Sequence, residues 1–196
     1  PTTTYPCHTT MATGVWPDKH QVTGNGQFKP GVLPQPWRWD YSFVEWKEDI
    51  FSAAKKAGYT TASVFWPVTG NHPFIDYLID EYWTQGPSDT PRQAWGRMGS
   101  SSEVLDIVER HIGGNEIRRH PDTERFIVDC TCDIIRRYGP DVIFLHPANI
   151  DGYRHETGLF NDKVLQGLHE TDQWIGEIMK AVKDIGQLDN TNLVLT

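Results

Sequence analysis

Residues 123–155 read TERFIVDCTCDIIRRYGPDVIFLHPANIDGYRH. Residues 123–138 read as a helix. The run DVIFLH, residues 141–146, is continuously apolar and closes at Pro147, which suits a strand buried on both faces of a sheet. Just beyond it stand Asp151 and His155, four residues apart. A helix feeding a buried strand that opens into a polar loop is the unit of an α/β fold.

The same alternation runs outward from this stretch. Upstream, residues 47–57 carry Ile50, Phe51, Ala54 and Ala57 at helical spacing, with Gly58 placed to end the helix. TTASVFW, residues 60–66, is a β-rich run stopped by Pro67. A short helix is expected around residues 75–82, loop over 86–99, and a helix over 101–111. Downstream, residues 162–183 form a long amphipathic helix with Val164, Leu168, Ile175, Ile178 and Val182 on one side. NLVLT, residues 192–196, reads as another buried strand. At the start, residues 6–13 read as a short helix that Gly14 ends, and residues 15–35 as loop rich in Gly, Pro and Asn. The aromatic stretch WRWDYSFVEW, residues 37–46, lies just before a helix. The expected class is α/β, with a largely parallel sheet flanked by helices. In such sheets ligands gather beyond the carboxyl ends of the strands, which points to the residues after DVIFLH.

The bulk numbers fit one domain over residues 1–196: 38% of residues are hydrophobic and 22% charged. The chain ends in a bare apolar strand, and no strand precedes its first helix. It is therefore expected to be a partial catalytic domain, an internal piece of a longer protein. A net charge of −8 gives no overall attraction for duplex nucleic acid or an anionic membrane, although a local metal ion can still draw a phosphate. No apolar run approaches the roughly 20 residues that cross a bilayer. Cys7, Cys130 and Cys132 do not make a disulfide framework, and one or two of them read as packed core thiols. Internal repeats, a Walker loop and a dinucleotide-binding glycine pattern are absent. Compartment and oligomeric state are not encoded in these features.

Three places carry groups suited to chemistry. Asp151 and His155 can reach one divalent ion if the chain between them makes a helical turn; the plain alternative is a surface loop with a capping aspartate and a solvated histidine. One of Thr2, Thr3 and Thr4 stands at a helix N-terminus, where free N–H groups favour an anion. A threonine there serves either as a metal-activated nucleophile or as an N-cap. Asn25, in a Gly-Asn-Gly setting, is either a donor to a phosphoryl oxygen or a turn residue.

Taken in order, these pieces resemble the nucleotide pyrophosphatase/phosphodiesterase family of the alkaline phosphatase superfamily. Thr4-Tyr5-Pro6-Cys7-His8, Thr13-Gly14, Pro17, His20 and Asn25 follow the family's opening stretch, with Cys7 where it has asparagine. SVFWPVTG is similar to its Phe-Trp-Pro-Gly segment. Asp151, His155 and Gly158 match its Asp-x-x-x-His-x-x-Gly loop, with Arg154 in place of a glycine. NTNLVLT resembles the strand leading into its Ser-Asp-His-Gly motif. The family often stacks a tyrosine on a nucleobase at the position held here by His146. The resemblance implies an alkaline-phosphatase-like fold. It also implies hydrolysis of a phosphodiester or pyrophosphate bond in a small phosphate-ester or nucleotide-like substrate, through a covalent phospho-threonine. It makes Thr4 the nucleophile, Asn25 a holder of the phosphoryl group, and two divalent ions, zinc first, the cofactors. Asp151 and His155 hold one ion, Thr4 touches the other, and the remaining ligands lie outside this chain. The isolated piece is then expected to be inactive. Many relatives act outside the cytoplasm. The alternatives are a phosphonate hydrolase or phospho-group transferase of the same superfamily, and a catalytically inert phosphate- or partner-binding module.

Overall fold

The computed structural model describes residues 2–113 and 117–196, which divide into two compact units. The first unit is Pro1–Val108 with Pro140–His146, and the second is Glu109–Gly139 with Pro147–Thr196.

The first unit holds a parallel sheet of three strands, β1 (Thr61–Val64), β2 (Tyr77–Ile79) and β3 (Val142–Leu145), in the order β2-β1-β3. The register sets Ala62 opposite Tyr77 and Ile143. β1 is buried throughout, as a central strand should be, while β3 is half-buried rather than covered on both faces. Two carboxylates fix where the strands start. Asp76 accepts from the Thr61 amide at 2.9 Å, and Asp141 from the Thr60 amide at 2.8 Å. The region expected to be a short helix around residues 75–82 is therefore strand β2, because Tyr-Leu-Ile pairs with β1 and the Asp76 clamp holds it extended.

Five helices precede the second unit or straddle its boundary. α1 (Thr4–Thr13) starts two residues before the expected position and ends at Gly14, whose φ of 70° closes the helix in the left-handed conformation. The expected loop over 15–35 contains one helical turn, α2 (Pro17–His20), with proline in its first turn. His20 is buried at its end: Nδ1 accepts the Val22 amide, so Nε2 carries the proton and donates to Thr10 Oγ1 at 3.0 Å. α3 (Ile50–Lys56) begins at a capping box between Asp49 and Ser52. The other Asp49 oxygen accepts from His72 Nε2 at 2.8 Å in the interior. The expected loop over 86–99 contains α4 (Pro91–Arg97), which the capping box of Thr90 and Gln93 and Pro91 at the start initiate. α5 (Ser102–Ile112) follows.

In the second unit α6 (Asp122–Tyr138) and α8 (Asp162–Asp184) pack along each other, and α7 (Asn149–Thr157) docks on α8. Cys130 and Cys132 are buried free thiols on α6; burial pushes the Cys132 thiol up to about 11. The buried face of α8 is Val164, Gly167, Trp174, Ile178 and Ala181, so Leu168, expected on that face, stands exposed. Residues 192–196 form no strand: they are exposed and pair with no other segment among the described residues.

Candidate active site

Thr4 is the first residue of α1 and is half-buried, while Thr3 holds the N-cap position without making a side-chain cap bond. The N-terminal amides are therefore not all satisfied by the threonines themselves. Asn25 supplies what they do not: its Oδ1 accepts the Tyr5 amide at 2.9 Å, across 20 residues of chain. The loop carrying Asn25 is pinned by backbone bonds, from the Arg38 amide to the Asn25 carbonyl at 2.9 Å and from the Gln27 amide to the Pro36 carbonyl at 2.7 Å. Arg38 also donates from its side chain to the Gly24 carbonyl at 2.7 Å. With Oδ1 committed to Tyr5, the donors left to Asn25 are the two N–H bonds of Nδ2, next to the first turn of α1. Thr4 and Asn25, linked in the sequence only by motif order, are neighbours in space.

His8 lies one turn along α1, with Nδ1 at 2.8 Å from the Thr4 carbonyl oxygen, so this nitrogen carries the proton and donates. The ring meets Trp66 at 4.6 Å and His146 at 4.2 Å between centroids. Burial lowers the pKa of His8. Burial first, then His8, lowers that of His146 to about 3, so His146 is neutral. His146 is thus packed on His8 rather than presented as a stacking wall.

The chain just past β1 is bent into an uncommon backbone. Phe65, Val68 and Asn71 have φ of 58°, 61° and 57°, the left-handed region that a β-branched valine enters only under constraint. This strained turn borders the carboxyl end of the sheet, and composition gives no hint of it.

Asp151 and His155 sit in the second unit on α7, so the loop between them does turn as a helix. Their side chains lie 3.6 Å apart and both are exposed. The helix separates two faces. Asn149 and Tyr153, also four apart, are buried: Asn149 Nδ2 donates to the Gly167 carbonyl at 3.0 Å, and the Tyr153 hydroxyl to Glu170 at 3.0 Å. Arg154 is exposed.

His120, one of the histidines left without a role by the sequence, supports this helix. Its Nδ1 lies 2.9 and 3.0 Å from the two oxygens of the buried Glu124, whose Oε1 accepts the Ala148 amide at the start of α7 at 3.1 Å. A Cβ on Gly152 would lie 2.2 Å from His120 Cδ2, so only glycine lets the ring seat against α7. The Glu124 hydrogen bond raises the pKa of His120 against the opposing effect of burial. The spacing of His120 and Glu124, one turn apart at a helix start, was the signal available in the sequence.

A carboxylate and an imidazole facing each other suit zinc. They supply two donors, and no group of three His, Cys, Asp or Glu able to hold a metal gathers among the described residues. A separate surface crevice of about 440 Å³ on the second unit is lined by Arg110, Arg136 and Arg137. These arginines are engaged by Asp133 and Asp184.

Comparison with known proteins gives one consistent result. Residues 1–196 match the family model described as type I phosphodiesterase / nucleotide pyrophosphatase. A Caenorhabditis elegans ectonucleotide pyrophosphatase/phosphodiesterase is 27% identical over 202 residues, covering 100% of this chain and 22% of that protein. The mouse ectonucleotide pyrophosphatase/phosphodiesterase family member 1 is 22% identical, over 100% of this chain and 18% of its own length. The chain thus spans about a fifth of the length of the curated relatives it matches. Among solved structures, murine ectonucleotide pyrophosphatase/phosphodiesterase 5 superimposes with a TM-score of 0.58 at 18% identity, covering 94% of this chain and 42% of that one. An inactive variant of it, in complex with AMP, matches equally. Phosphonoacetate hydrolase from Sinorhizobium meliloti 1021, in complex with phosphonoacetate, has a TM-score of 0.56 at 16% identity, over 90% of this chain and 42% of that one. These structures share the fold. Among the described residues no helix is long and apolar enough to cross a membrane.

Proposed function

Because the chain belongs to the type I phosphodiesterase / nucleotide pyrophosphatase family, we propose that it contributes the nucleophile and part of the metal-binding set to a hydrolase of phosphodiester or pyrophosphate bonds in nucleotide-like substrates. The observation that carries this reading is the meeting of Thr4 and Asn25 at the start of α1. A hydroxyl there faces the N–H groups and positive end of a helix, where a phosphoryl anion is favoured. The Nδ2 donors of Asn25 add to the same field and gain strength as negative charge develops on the transferred group.

In the reaction, Thr4 Oγ1 attacks phosphorus, the bond to the leaving oxygen breaks, and a phospho-threonine forms. Water then attacks the phosphorus, which returns the Thr4 hydroxyl and releases the phosphate product. His8 holds the Thr4 carbonyl and so orients the nucleophile's turn. Zinc ions supply the charge neutralisation and the lowering of the threonine pKa that such a step needs. Asp151 and His155 are the residues of this chain that would hold one ion, and Thr4 would touch the other. Two protein donors make a weak site, so a complete set requires further ligands beyond the described residues, and this chain alone is expected to be inactive. The test is hydrolysis of a chromogenic phosphodiester by the full-length parent, with phosphonoacetate as the competing substrate class. Diester cleavage abolished by Thr4→Ala supports the reading. Cleavage of the phosphonate alone moves the protein to the sister activity, and activity that survives Thr4→Ala removes the nucleophile assignment.

A further inference from the structure

α7 is short and poorly suited to stand alone. It has 9 residues, fewer than the roughly 12–15 that an isolated helix needs in water. Gly152 sits near its middle, and no side chain of its own caps its start. Its helical form must come from what it packs against.

Two sets of contacts hold it. One comes from α8: Asn149 Nδ2 donates to the Gly167 carbonyl at 3.0 Å and to Glu170 at 3.1 Å, and the Tyr153 hydroxyl to the same Glu170 oxygen at 3.0 Å. The other comes from the chain entering α6. Glu124 is fully buried, and its Oε1 accepts the Ala148 amide at 3.1 Å, just before the first helical residue. It thereby places an acceptor where α7 lacks a cap of its own. His120 Nδ1 donates to Glu124, 2.9 and 3.0 Å from its two oxygens. The His120 ring fills the space that Gly152 leaves, so it braces α7 one residue past Asp151.

The consequence falls on Asp151 and His155. Asp151 is in the first turn of α7 and His155 lies one turn on. Their side chains meet at 3.6 Å because the chain between them is helical. Both are exposed, so no packing of their own fixes them. A frayed first turn would let Asp151 leave His155, and an ion would then have to order the turn as it bound, which weakens binding.

We infer that His120 and Glu124 are positioning residues for the metal pair. Neither ligates the ion. Together they hold the first turn of α7, so that Asp151 and His155 present their donors on one face before an ion binds. The inference rests on Asp151 and His155 being zinc ligands, as in the proposed function. It adds that the affinity of their site is set from outside it, by two residues upstream of β3.

The test uses the full-length parent. Zinc affinity is read by competition with a chromophoric chelator at one pH, and zinc content by atomic emission. Asp151→Ala is the reference and should lose one ion. His120→Ala and Glu124→Ala should weaken that same ion about tenfold and leave the other unchanged. Added to Asp151→Ala, neither should alter the zinc that remains, because no pair is left to position. Glu124→Gln keeps an acceptor for the Ala148 amide and should recover part of the loss. Added zinc should restore the phosphodiesterase kcat of His120→Ala. Should Glu124→Ala fail to fold, His120→Ala gives the same reading, since its ring is partly exposed. If Asp151→Ala loses the ion while His120→Ala and Glu124→Ala bind it as the parent does, the positioning role is overturned and the metal pair stands. Equal weakening of both ions, or further loss in the Asp151→Ala background, also overturns it, as general damage to the fold. Zinc binding unchanged in Asp151→Ala overturns the metal pair itself, and this inference with it.

Discussion

Gly152→Ala is the substitution whose sign depends most directly on the structure. Gly152 lies inside α7, where alanine in place of glycine normally stabilises a helix by about 1 kcal/mol. Here the new methyl would lie 2.2 Å from His120 Cδ2 and 2.3 Å from Nε2, so the ring or the helix must move. Overpacking of this kind costs about 1–3 kcal/mol. If the ring moves, the charged hydrogen bond to Glu124 goes with it, a further loss of about 1.5–3 kcal/mol. Set against the propensity gain, the net destabilisation is centred near 3 kcal/mol, or about 6–12 °C in Tm for a chain of this length. Urea and thermal unfolding followed by circular dichroism measure it. In a His120→Ala background the clash disappears, and Gly152→Ala should turn neutral or stabilising. A stabilisation of about 1 kcal/mol in the unmodified background would refute the packing of His120 on α7.

Other outcomes follow from the same geometry. The raised pKa of His120 means that its bond to Glu124 contributes full stability below the unfolded histidine pKa and loses it as pH rises through the folded one; this loss of stability with rising pH should vanish in Glu124→Gln. Burial opposes ionisation of Asp49, but the bonds from His72 and Ser52 outweigh it and hold the carboxyl below its usual range. Its contribution is present above the unfolded aspartate pKa and is lost as pH falls through the folded value, and Asp49→Ala should cost about 2–4 kcal/mol by chemical unfolding. Asn25→Ala should cost about 0.5–1.5 kcal/mol through the orphaned Tyr5 amide, and in the full-length parent lower kcat on a phosphodiester by about 10²–10³. Cys130 and Cys132 should resist a thiol reagent in the native chain and react on unfolding, because burial keeps both thiols protonated.

The long helices were legible because their buried residues recur at helical spacing. α6 and α8 match their expected spans to within a residue. β1 and β3 were legible as short β-rich or apolar runs. β2 was not, since Tyr77-Leu78-Ile79 is too short to show a period and is decided by its pairing with β1. α4 had a readable start in Thr90-Pro91 and Gln93 that the surrounding Gly and Pro obscured. Residues 192–196 have strand composition, but composition makes a strand only beside a partner. The candidate residues Thr4, Asn25, Asp151 and His155 were singled out by order and motif. The pinning of Asn25 to Tyr5 and the seat of His120 under Gly152 arise between residues far apart in the chain, and no local pattern records them.

The central claim concerns Thr4, and the most direct measurement is to trap its product. The full-length parent is mixed with a phosphodiester, quenched in acid within a turnover, digested, and searched by mass spectrometry for a phosphorylated peptide. A phosphoryl group on Thr4, absent in Thr4→Ala, is the expected result. Turnover of the diester with no label on Thr4, or with the label on another residue, would contradict it.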